Sequence, residues 1–301
     1  DLLRGLLLAS GNDAANALAV AVAGDVPAFV RRMNRRAREL GLRNTRFGNP
    51  IGLDEPGNYS SAEDLVKMAL LLRQNSFVRE IMAQPRAVLR SGARQRVVIN
   101  RNTLVGRFDY VTGVKTGHTL GAGYVLVGAA DRNGVEVVSA VLGAGSEAAR
   151  DADTIALLDY GLERYRRDVG VRAKHVLARV PVADAGKGVT APLIAEEAVR
   201  AVVRRGEELH RRLVGVPAEV EGPLPAGERM GTVEVLREDG EVVGQTALVT
   251  AREVPTPRPA ERVRSWVSRP GTMLLLAFLA ACTVSLLLLR RRLARRSGGP
   301  Q

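Results

Sequence analysis

The sequence predicts an α+β protein with a small all-β domain and a C-terminal membrane-spanning helix. Three observations lead to this prediction. Helical apolar patterns and one strong β-hairpin share residues 1–168. Residues 169–254 change to short β-rich runs interrupted by glycine and proline. Residues 272–289 then form an uninterrupted run of 18 apolar or small residues, which is near the lower limit for a bilayer span.

Composition narrows the class of protein. The chain has 301 residues, of which 46% are hydrophobic and 25% charged, a globular composition with room for two modest domains. A net charge of +12 would suit nucleic acid, but aromatic residues make up only 4% and no recognised binding motif occurs, so we expect no nucleic-acid partner. The charge indicates either arginines scattered over solvated faces or a protein beside an anionic membrane and cell wall. One cysteine and three histidines form no metal-ligand pattern, so we expect neither a metal site nor a cofactor.

Helices are predicted where apolar residues recur at three- and four-residue steps between start and stop signals. Ser61 is a candidate cap, and we assign Glu63 and Asp64 to first-turn electrostatics. Ser10 and Asn12, on the loop before the second helix, would by themselves be capping residues. The predicted helices cover residues 2–9, 13–23, 27–40, 62–73 and 147–165.

A Lys-Thr-Gly tripeptide, residues 115–117, lies on or just before a strand. Two β-rich runs follow it around an Asn-Gly turn, which is typical of a hairpin. Lys115 offers a cation, Thr116 and Thr119 offer hydroxyl donors, and Gly117 allows a substrate backbone to approach. Only four of the 44 basic residues are lysines, which favours a need here for an ammonium whose pKa can be lowered. The alternative is a strand-edge lysine beside an ordinary turn.

Several segments together resemble the low-molecular-weight penicillin-binding proteins, which are serine-type D-Ala-D-Ala carboxypeptidases (peptidase family S11). They cover most of residues 1–165 in the family's order. The resemblance implies a β-lactamase/transpeptidase-like catalytic domain at 1–168 and, at 169–254, a β domain usually regarded as a pedestal. The alternative for the β domain is that it binds a partner. The matching segments are 10–19, 33–34, 39–47, 52–54, 59–65, 100–104 and 113–119.

One departure from the family concerns its nucleophile. No serine in residues 1–301 is followed by lysine three positions later. In the family that motif precedes the Ser-x-Asn motif by several dozen residues. We therefore expect an N-terminally truncated chain, an incomplete catalytic domain, and an export signal further upstream.

The resemblance also implies a reaction and a set of site residues. The reaction is acyl transfer on peptidoglycan stem peptides ending in D-Ala-D-Ala, with β-lactam antibiotics as inhibitors. Ser10 and Lys115 would relay a proton to the leaving amine, and Asn12 would orient the peptide. The backbone N–H of His118 would contribute to the oxyanion hole. The expected substrate-binding residues are Lys115, Thr116, Gly117, His118, Thr119, Arg150 and Arg101.

The two arginines would recognise the substrate's terminal carboxylate. A guanidinium at Arg150 would bind it through two parallel hydrogen bonds, with Arg101 as a second cation nearby. The alternatives are that Arg150 is a surface residue and that Arg101 contacts backbone carbonyls.

Other functions of the same fold stay open. A β-lactamase or a D-Ala-D-Ala endopeptidase shares the motifs, and a non-catalytic cell-wall binding protein would keep the fold without the nucleophile. A Ser-x-x-Lys motif behind a signal peptide upstream would favour the enzyme over the binding protein.

The C-terminal residues predict a single-pass anchor in the bacterial cytoplasmic membrane. We expect a linker at 255–270 that begins with a stiff proline-rich run at 255–259, a transmembrane helix at 271–290 and a basic tail at 291–301. Trp266 occupies the position of an interfacial anchor. The dense arginines of the tail predict a cytoplasmic C-terminus and an extracytoplasmic catalytic domain.

Overall fold

The computed structural model describes residues 1–185, 188–267 and 270–296. The chain divides into two compact units. Unit 1 comprises Asp1–Arg167 with Val202–Gly206, and unit 2 comprises Asp168–Ala201 with Glu207–Gln301.

Side-chain caps start most of the helices of unit 1. Asp25, Ser61, Asn75 and Ser146 each accept a hydrogen bond from the backbone N–H three residues later, which satisfies a donor that the helix leaves unpaired. The predicted helices and the Ser61 cap are confirmed. The helices are α1 (Leu2–Leu7), α2 (Asn12–Ala23), α3 (Val26–Glu39), α4 (Ala62–Arg73), α5 (Ser76–Met82) and α6 (Glu147–Arg164).

Five strands complete unit 1, and the predicted hairpin is confirmed. Asn133 and Gly134 form its turn with φ angles of 56° and 75°, the left-handed values that asparagine and glycine adopt readily. The Lys-Thr-Gly lies on the first strand of an antiparallel sheet ordered β3-β4-β5, while β1 and β2 form a separate ribbon. The strands are β1 (Arg86–Leu89), β2 (Arg96–Ile99), β3 (Val111–Thr119), β4 (Gly123–Arg132) and β5 (Val135–Ala144).

Helices cover both faces of this sheet. On one face Leu158 and Leu162 of α6 pack with Leu126 of β4. On the other, α4 and α5 contribute Ala69 and Met82 to a cluster with strand residues. Apolar burial on both faces fixes strand β3, and therefore the direction of the side chains it carries.

Unit 2 is built on a five-stranded antiparallel sheet ordered β10-β11-β12-β8-β7. Val171, Val233, Val235 and Leu248 form its core and are completely buried. The β-rich character predicted for this region is confirmed. Its strands are β7 (Val176–Pro181), β8 (Thr190–Ala195), β10 (His210–Val214), β11 (Arg229–Leu236) and β12 (Val242–Thr250). Strands β6 (Tyr165–Val171) and β9 (Val199–Arg204) pair with each other, and the unit boundaries fall within both of them.

Two helices end the described chain. Helix α7 (Pro259–Val267) lies inside the range predicted as a linker and follows its proline-rich run at 255–259. Helix α8 (Pro270–Arg296) contains a stretch of 19 residues, Pro270–Leu288, with a mean hydropathy of 2.3 and no residue buried. That stretch is long and apolar enough to cross a bilayer, consistent with membrane association. The end of the predicted basic tail, residues 297–301, lies outside the described residues.

Candidate active site

Unit 1 contains a cleft of about 1050 Å³. It is lined by the loop before α2, the loop at 47–58, residues 99–103 and strand β3. Of the predicted site residues, all of which the structure describes, Thr119 is the one outside this lining. Those that line the cleft are Ser10, Asn12, Arg101, Lys115, Thr116, Gly117, His118 and Arg150.

Ser10 and Lys115 meet in this cleft. Lys115 Nζ donates hydrogen bonds to Ser10 Oγ at 2.8 Å and to the Thr116 carbonyl oxygen at 2.7 Å. Ser10 has a φ of 57°, a left-handed conformation that is uncommon for serine and costs on the order of 1–3 kcal/mol. The N-cap position of α2 belongs to Gly11, and no side chain caps that helix. The Ser10 hydroxyl therefore contacts Lys115 and is not a helix cap.

The environment of Lys115 favours its neutral form. Burial and, to a smaller extent, repulsion from the Arg101 guanidinium together lower the pKa of Lys115 from 10.5 to about 8. A lysine with this pKa is a much stronger proton donor than an exposed one, while its neutral form is accessible near physiological pH. The pair can therefore pass a proton in either direction between Lys115 Nζ and Ser10 Oγ.

Two buried asparagines hold the segment that carries Arg101. Asn100 donates through Nδ2 to the carbonyl oxygens of Met82 and Gln84, at 3.1 and 3.0 Å. Its Oδ1 accepts from the Asn102 backbone N–H at 2.9 Å. Asn102 is 1% exposed and donates through Nδ2 to the Gly113 carbonyl at 3.1 Å, on the strand that carries Lys115. Arg101 is exposed between them, so its backbone is fixed while its guanidinium can reach the cleft.

Arg150 is buried and already paired. Its Nε and Nη2 donate to Asp151 Oδ1 at 2.9 and 2.7 Å, and Nη2 also contacts Glu147 Oε1 at 2.9 Å. Asp151 Oδ2 accepts from the Thr103 hydroxyl at 2.9 Å. The alternative that Arg150 is a surface residue is wrong, since it is 3% exposed. A substrate carboxylate would have to compete with two protein carboxylates for this guanidinium.

Thr119 does not offer its hydroxyl to the cleft. Its Oγ1 donates to Asp54 Oδ1 at 2.7 Å and accepts from the Ala122 backbone N–H at 3.0 Å. Asp54 Oδ2 also accepts from the Gly121 N–H at 3.1 Å. In this structure Asp54 holds the donor of Thr119, and the expectation that Thr119 binds substrate stays a prediction. The bond joins the end of β3 to the loop at 47–58 that lines the cleft.

The remaining residues of the β3 motif shape the cleft wall. A Cβ at Gly117 would meet only Val125 Cβ, at an ordinary 3.7 Å, so packing within the chain does not require glycine there. The His118 imidazole packs against the Tyr124 ring with centroids 4.1 Å apart. Among the described residues, no group of three His, Cys, Asp or Glu side chains is placed to hold a metal ion.

Sequence reasoning missed Asn100, Asn102 and Asp54 as parts of this site. All three lie in segments that carry the family resemblance, at 100–104 and 52–54. Their place in these segments was the only feature of the sequence that could have assigned them to the site, because their hydrogen-bond partners are distant in sequence or are backbone carbonyls.

Comparison with known proteins gives consistent matches. The profile of a family described as D-alanyl-D-alanine carboxypeptidase matches residues 1–146. The chain is 32% identical over 256 residues to D-alanyl-D-alanine carboxypeptidase DacF of Bacillus subtilis (strain 168), covering 84% of this chain and 65% of that protein. It is 34% identical over 257 residues to DacA of Escherichia coli (strain K12), covering 84% and 62%. The chain thus spans slightly less than two thirds of the length of these curated relatives.

A solved structure supports the same likeness. Penicillin-binding protein 5 from Haemophilus influenzae superimposes with a TM-score of 0.56 at 30% sequence identity. The match covers 85% of this chain and 74% of that one.

Proposed function

The chain belongs to the D-alanyl-D-alanine carboxypeptidase family (peptidase family S11), and on that premise we propose that it is part of a serine-type carboxypeptidase that trims peptidoglycan stem peptides. The observation that supports this most directly is the 2.8 Å contact between Lys115 Nζ and Ser10 Oγ in the cleft. A buried lysine with a lowered pKa beside a hydroxyl is suited to moving protons.

The proposed reaction is acyl transfer. A serine hydroxyl attacks the carbonyl carbon between two terminal D-alanines, the last D-alanine leaves, and water hydrolyses the ester that remains. The Lys115 ammonium donates its proton to Ser10 Oγ, while the Ser10 hydroxyl donates its own proton to the leaving nitrogen. Because the lowered pKa makes Lys115 a better acid, proton transfer to the leaving amine is easier.

Asn12 and Gly117 have supporting roles in this proposal. Asn12 lines the cleft and would orient the peptide through its carboxamide. Gly117, with open space on the cleft side, would let the substrate backbone lie along β3. The N–H of His118 would contribute to stabilising the oxyanion, where a lost donor costs about 3 kcal/mol.

Arg101 is the more available cation for the substrate's terminal carboxylate. It is exposed in the cleft, whereas Glu147 and Asp151 hold Arg150. We assign first contact with the carboxylate to Arg101. Binding by Arg150 is the alternative, and it requires Glu147 to release the guanidinium.

The nucleophile of the proposed reaction lies outside residues 1–301, which contain no Ser-x-x-Lys motif. The test is labelling with fluorescent penicillin. We expect no stable adduct on the chain 1–301, and a stoichiometric adduct together with D-alanine release for the product of the complete gene. An adduct that maps to Ser10 would show instead that Ser10 and Lys115 form a nucleophilic pair by themselves.

The second candidate is a non-catalytic cell-wall binding protein that keeps the fold without the nucleophile. In that case the product of the complete gene would bind a D-Ala-D-Ala peptide without releasing D-alanine. Equilibrium binding and amino-acid release, measured on one preparation, separate the two candidates.

We also propose that α8 crosses the bacterial cytoplasmic membrane once, with residues 1–270 outside. Its apolar stretch and the arginines that follow support this orientation. Deleting everything after Pro270 should release a soluble protein. If the truncated protein still resists carbonate extraction, the anchor lies elsewhere in the chain.

A further inference from the structure

Half of the chain's net charge lies in one short segment of unit 1. Residues 31–46, from α3 and the loop after it, contain seven arginines and one glutamate, a net charge of +6 out of +12 for 301 residues. The alternative that arginines are scattered evenly over solvated faces does not describe this distribution. A concentration of one sign of charge needs its own explanation.

Three of these arginines surround a cavity of about 440 Å³ at the end of α3. Arg38, Arg43 and Arg46 line it together with Tyr59, and none of its lining residues is acidic. The cavity is separate from the cleft, although the loop at 44–59 contributes residues to both. A concave site with three guanidiniums around it is suited to an anionic group.

The three guanidiniums are not neutralised by neighbouring acids. Arg38, Arg43 and Arg46 are exposed, and in the described part of the chain none of them forms an ion pair. The nearby acids are engaged elsewhere: Glu39 with Arg36 at 3.1 Å, Glu63 with Lys67 at 2.7 Å, and buried Asp64 with the Thr45 hydroxyl at 2.8 Å.

A row of arginines leads from α3 to this cavity. Arg31, Arg35 and Arg38 follow one another at steps of four and three residues, so they lie on one face of the helix. All three are exposed. Like charges at this spacing repel and destabilise a helix, so the row opposes folding in the absence of a ligand.

We propose that this surface, the α3 arginine patch (Arg31, Arg35, Arg38, Arg43 and Arg46), binds a linear wall polymer that carries repeated phosphate groups. The planar fork of arginine matches a phosphate oxygen pair. The cavity takes one phosphate and the helix row takes those that follow. A concave site that continues into a row fits a flexible chain better than the flat headgroup layer of a membrane. The binding does not depend on the acyl-transfer reaction.

The test measures binding of labelled inorganic polyphosphate to the full chain in detergent by fluorescence anisotropy. The variant Arg38→Ala/Arg43→Ala/Arg46→Ala is compared with Arg172→Ala/Arg200→Ala/Arg252→Ala. The second set removes the same charge from exposed positions of unit 2 that form no ion pair among the described residues. We expect the patch variant to lose at least about tenfold in affinity and the control less than about twofold. The slope of log affinity against log salt should fall by about 2, since each phosphate contact on a single-stranded polyanion contributes about 0.7.

Three outcomes would overturn the proposal. Equal losses in both triple variants would show that binding follows net charge alone. Tighter, patch-dependent binding to phosphatidylglycerol vesicles than to polyphosphate would make the partner a membrane. Equal affinity for polyglutamate and for polyphosphate would show that the patch does not prefer phosphate groups over carboxylates. If the triple variant fails to fold by circular dichroism, the single reversal Arg43→Glu is read in the same assay, and an unchanged affinity there also overturns the proposal.

Discussion

In unit 1 seven polar or charged residues are buried: Asp64, Arg73, Asn100, Asn102, Ser139, Arg150 and Thr154. In the described part of unit 2, Thr250 is the one such residue. Burying a polar group destabilises a protein unless hydrogen bonds replace its contacts with water. Apart from Ser139, whose hydroxyl has no hydrogen-bond partner among the described residues, the buried polar residues of unit 1 therefore depend on specific partners, whereas unit 2 depends on apolar packing. The difference indicates that unit 1 gives up stability to hold a cleft in one geometry.

Substitution of Lys115 should show most strongly that the site is held at a cost in stability. With Lys115→Met, the product of the complete gene should lose at least about 10³-fold in D-alanine release, since a positioned proton donor contributes about 10²–10⁴. The same variant of this chain should be more stable at pH 7. A fall in the pKa from 10.5 to about 8 corresponds to a penalty of about 3 kcal/mol for the buried cation, at about 1.4 kcal/mol per pKa unit.

The sign of this stability effect can be checked against pH. The lowered pKa means that the folded state binds fewer protons than the unfolded state between pH 8 and 10.5, so the wild type gains stability as pH rises through that window. Thermal unfolding at pH 7 and pH 10 should show the advantage of Lys115→Met shrinking. Lys67→Met, which removes an exposed lysine, is the control. A destabilised Lys115→Met at pH 7 would show that the bonds to Ser10 and Thr116 outweigh the cost of burial.

Substitution of Arg101 should have the next largest effect on activity, because Arg101 lowers the pKa of Lys115 and binds the substrate carboxylate. Removing it as Arg101→Ala should raise the pKa of Lys115 above about 8, because repulsion between the two cations ends. Since the chain has only four lysines, ¹³C-methylation of lysine and an NMR titration report this pKa directly. We expect Arg150→Ala to leave it nearly unchanged.

The same pair of variants tests carboxylate recognition. Arg101→Ala in the product of the complete gene should lower kcat/KM on a D-Ala-D-Ala peptide by about 10- to 100-fold, the loss expected for a hydrogen bond to a charged group. Hydrolysis of an ester without the terminal carboxylate should change little. A larger selective loss of kcat/KM on the peptide for Arg150→Ala would show that Arg150, and not Arg101, binds the terminal carboxylate.

Asn102 should have a smaller effect on activity, because it acts through Arg101. Asn102→Ala removes the donor to the Gly113 carbonyl and the acceptor of the Leu104 N–H. Leaving buried partners unpaired costs about 1–3 kcal/mol each. We expect KM to rise more than kcat falls, since the group that the substitution displaces is the Arg101 guanidinium, which binds substrate. Asp25→Ala, which removes the cap of α3 and costs about 1 kcal/mol, is a control for lost stability, and an equal rise in KM there would contradict the positioning role.

The features predicted from sequence are those with local causes. The Asn133-Gly134 turn and the Ser61 cap depend on residues within a few positions of one another, so the hairpin and helix α4 could be placed. The apolar periodicity of α4 predicts that Leu72 faces inward, but Leu72 is 40% exposed.

The features that sequence reasoning missed depend on distant partners or on chain direction. Asp54 and Thr119 are 65 residues apart, and only the strand register and the path of the loop bring them together. The β-rich run that includes Val214 does not continue as a strand, because Gly215 adopts a φ of 70° and Pro217 follows it. Strand β10 ends at Val214 for that reason.

Leu248 should have the smallest effect on the site, although it has a large effect on stability. It is 0% exposed in the core of unit 2, and Leu248→Ala should destabilise the chain by about 2–5 kcal/mol through lost packing and a cavity. No residue that lines the cleft belongs to unit 2, so the pKa of Lys115 in the folded protein should not move. Unfolding in urea gives the first quantity, and the NMR titration gives the second. A change in the pKa of Lys115 in Leu248→Ala would show that the packing of unit 2 affects the cleft. The contrast between a polar unit that holds the site and an apolar unit that does not influence it would then be wrong.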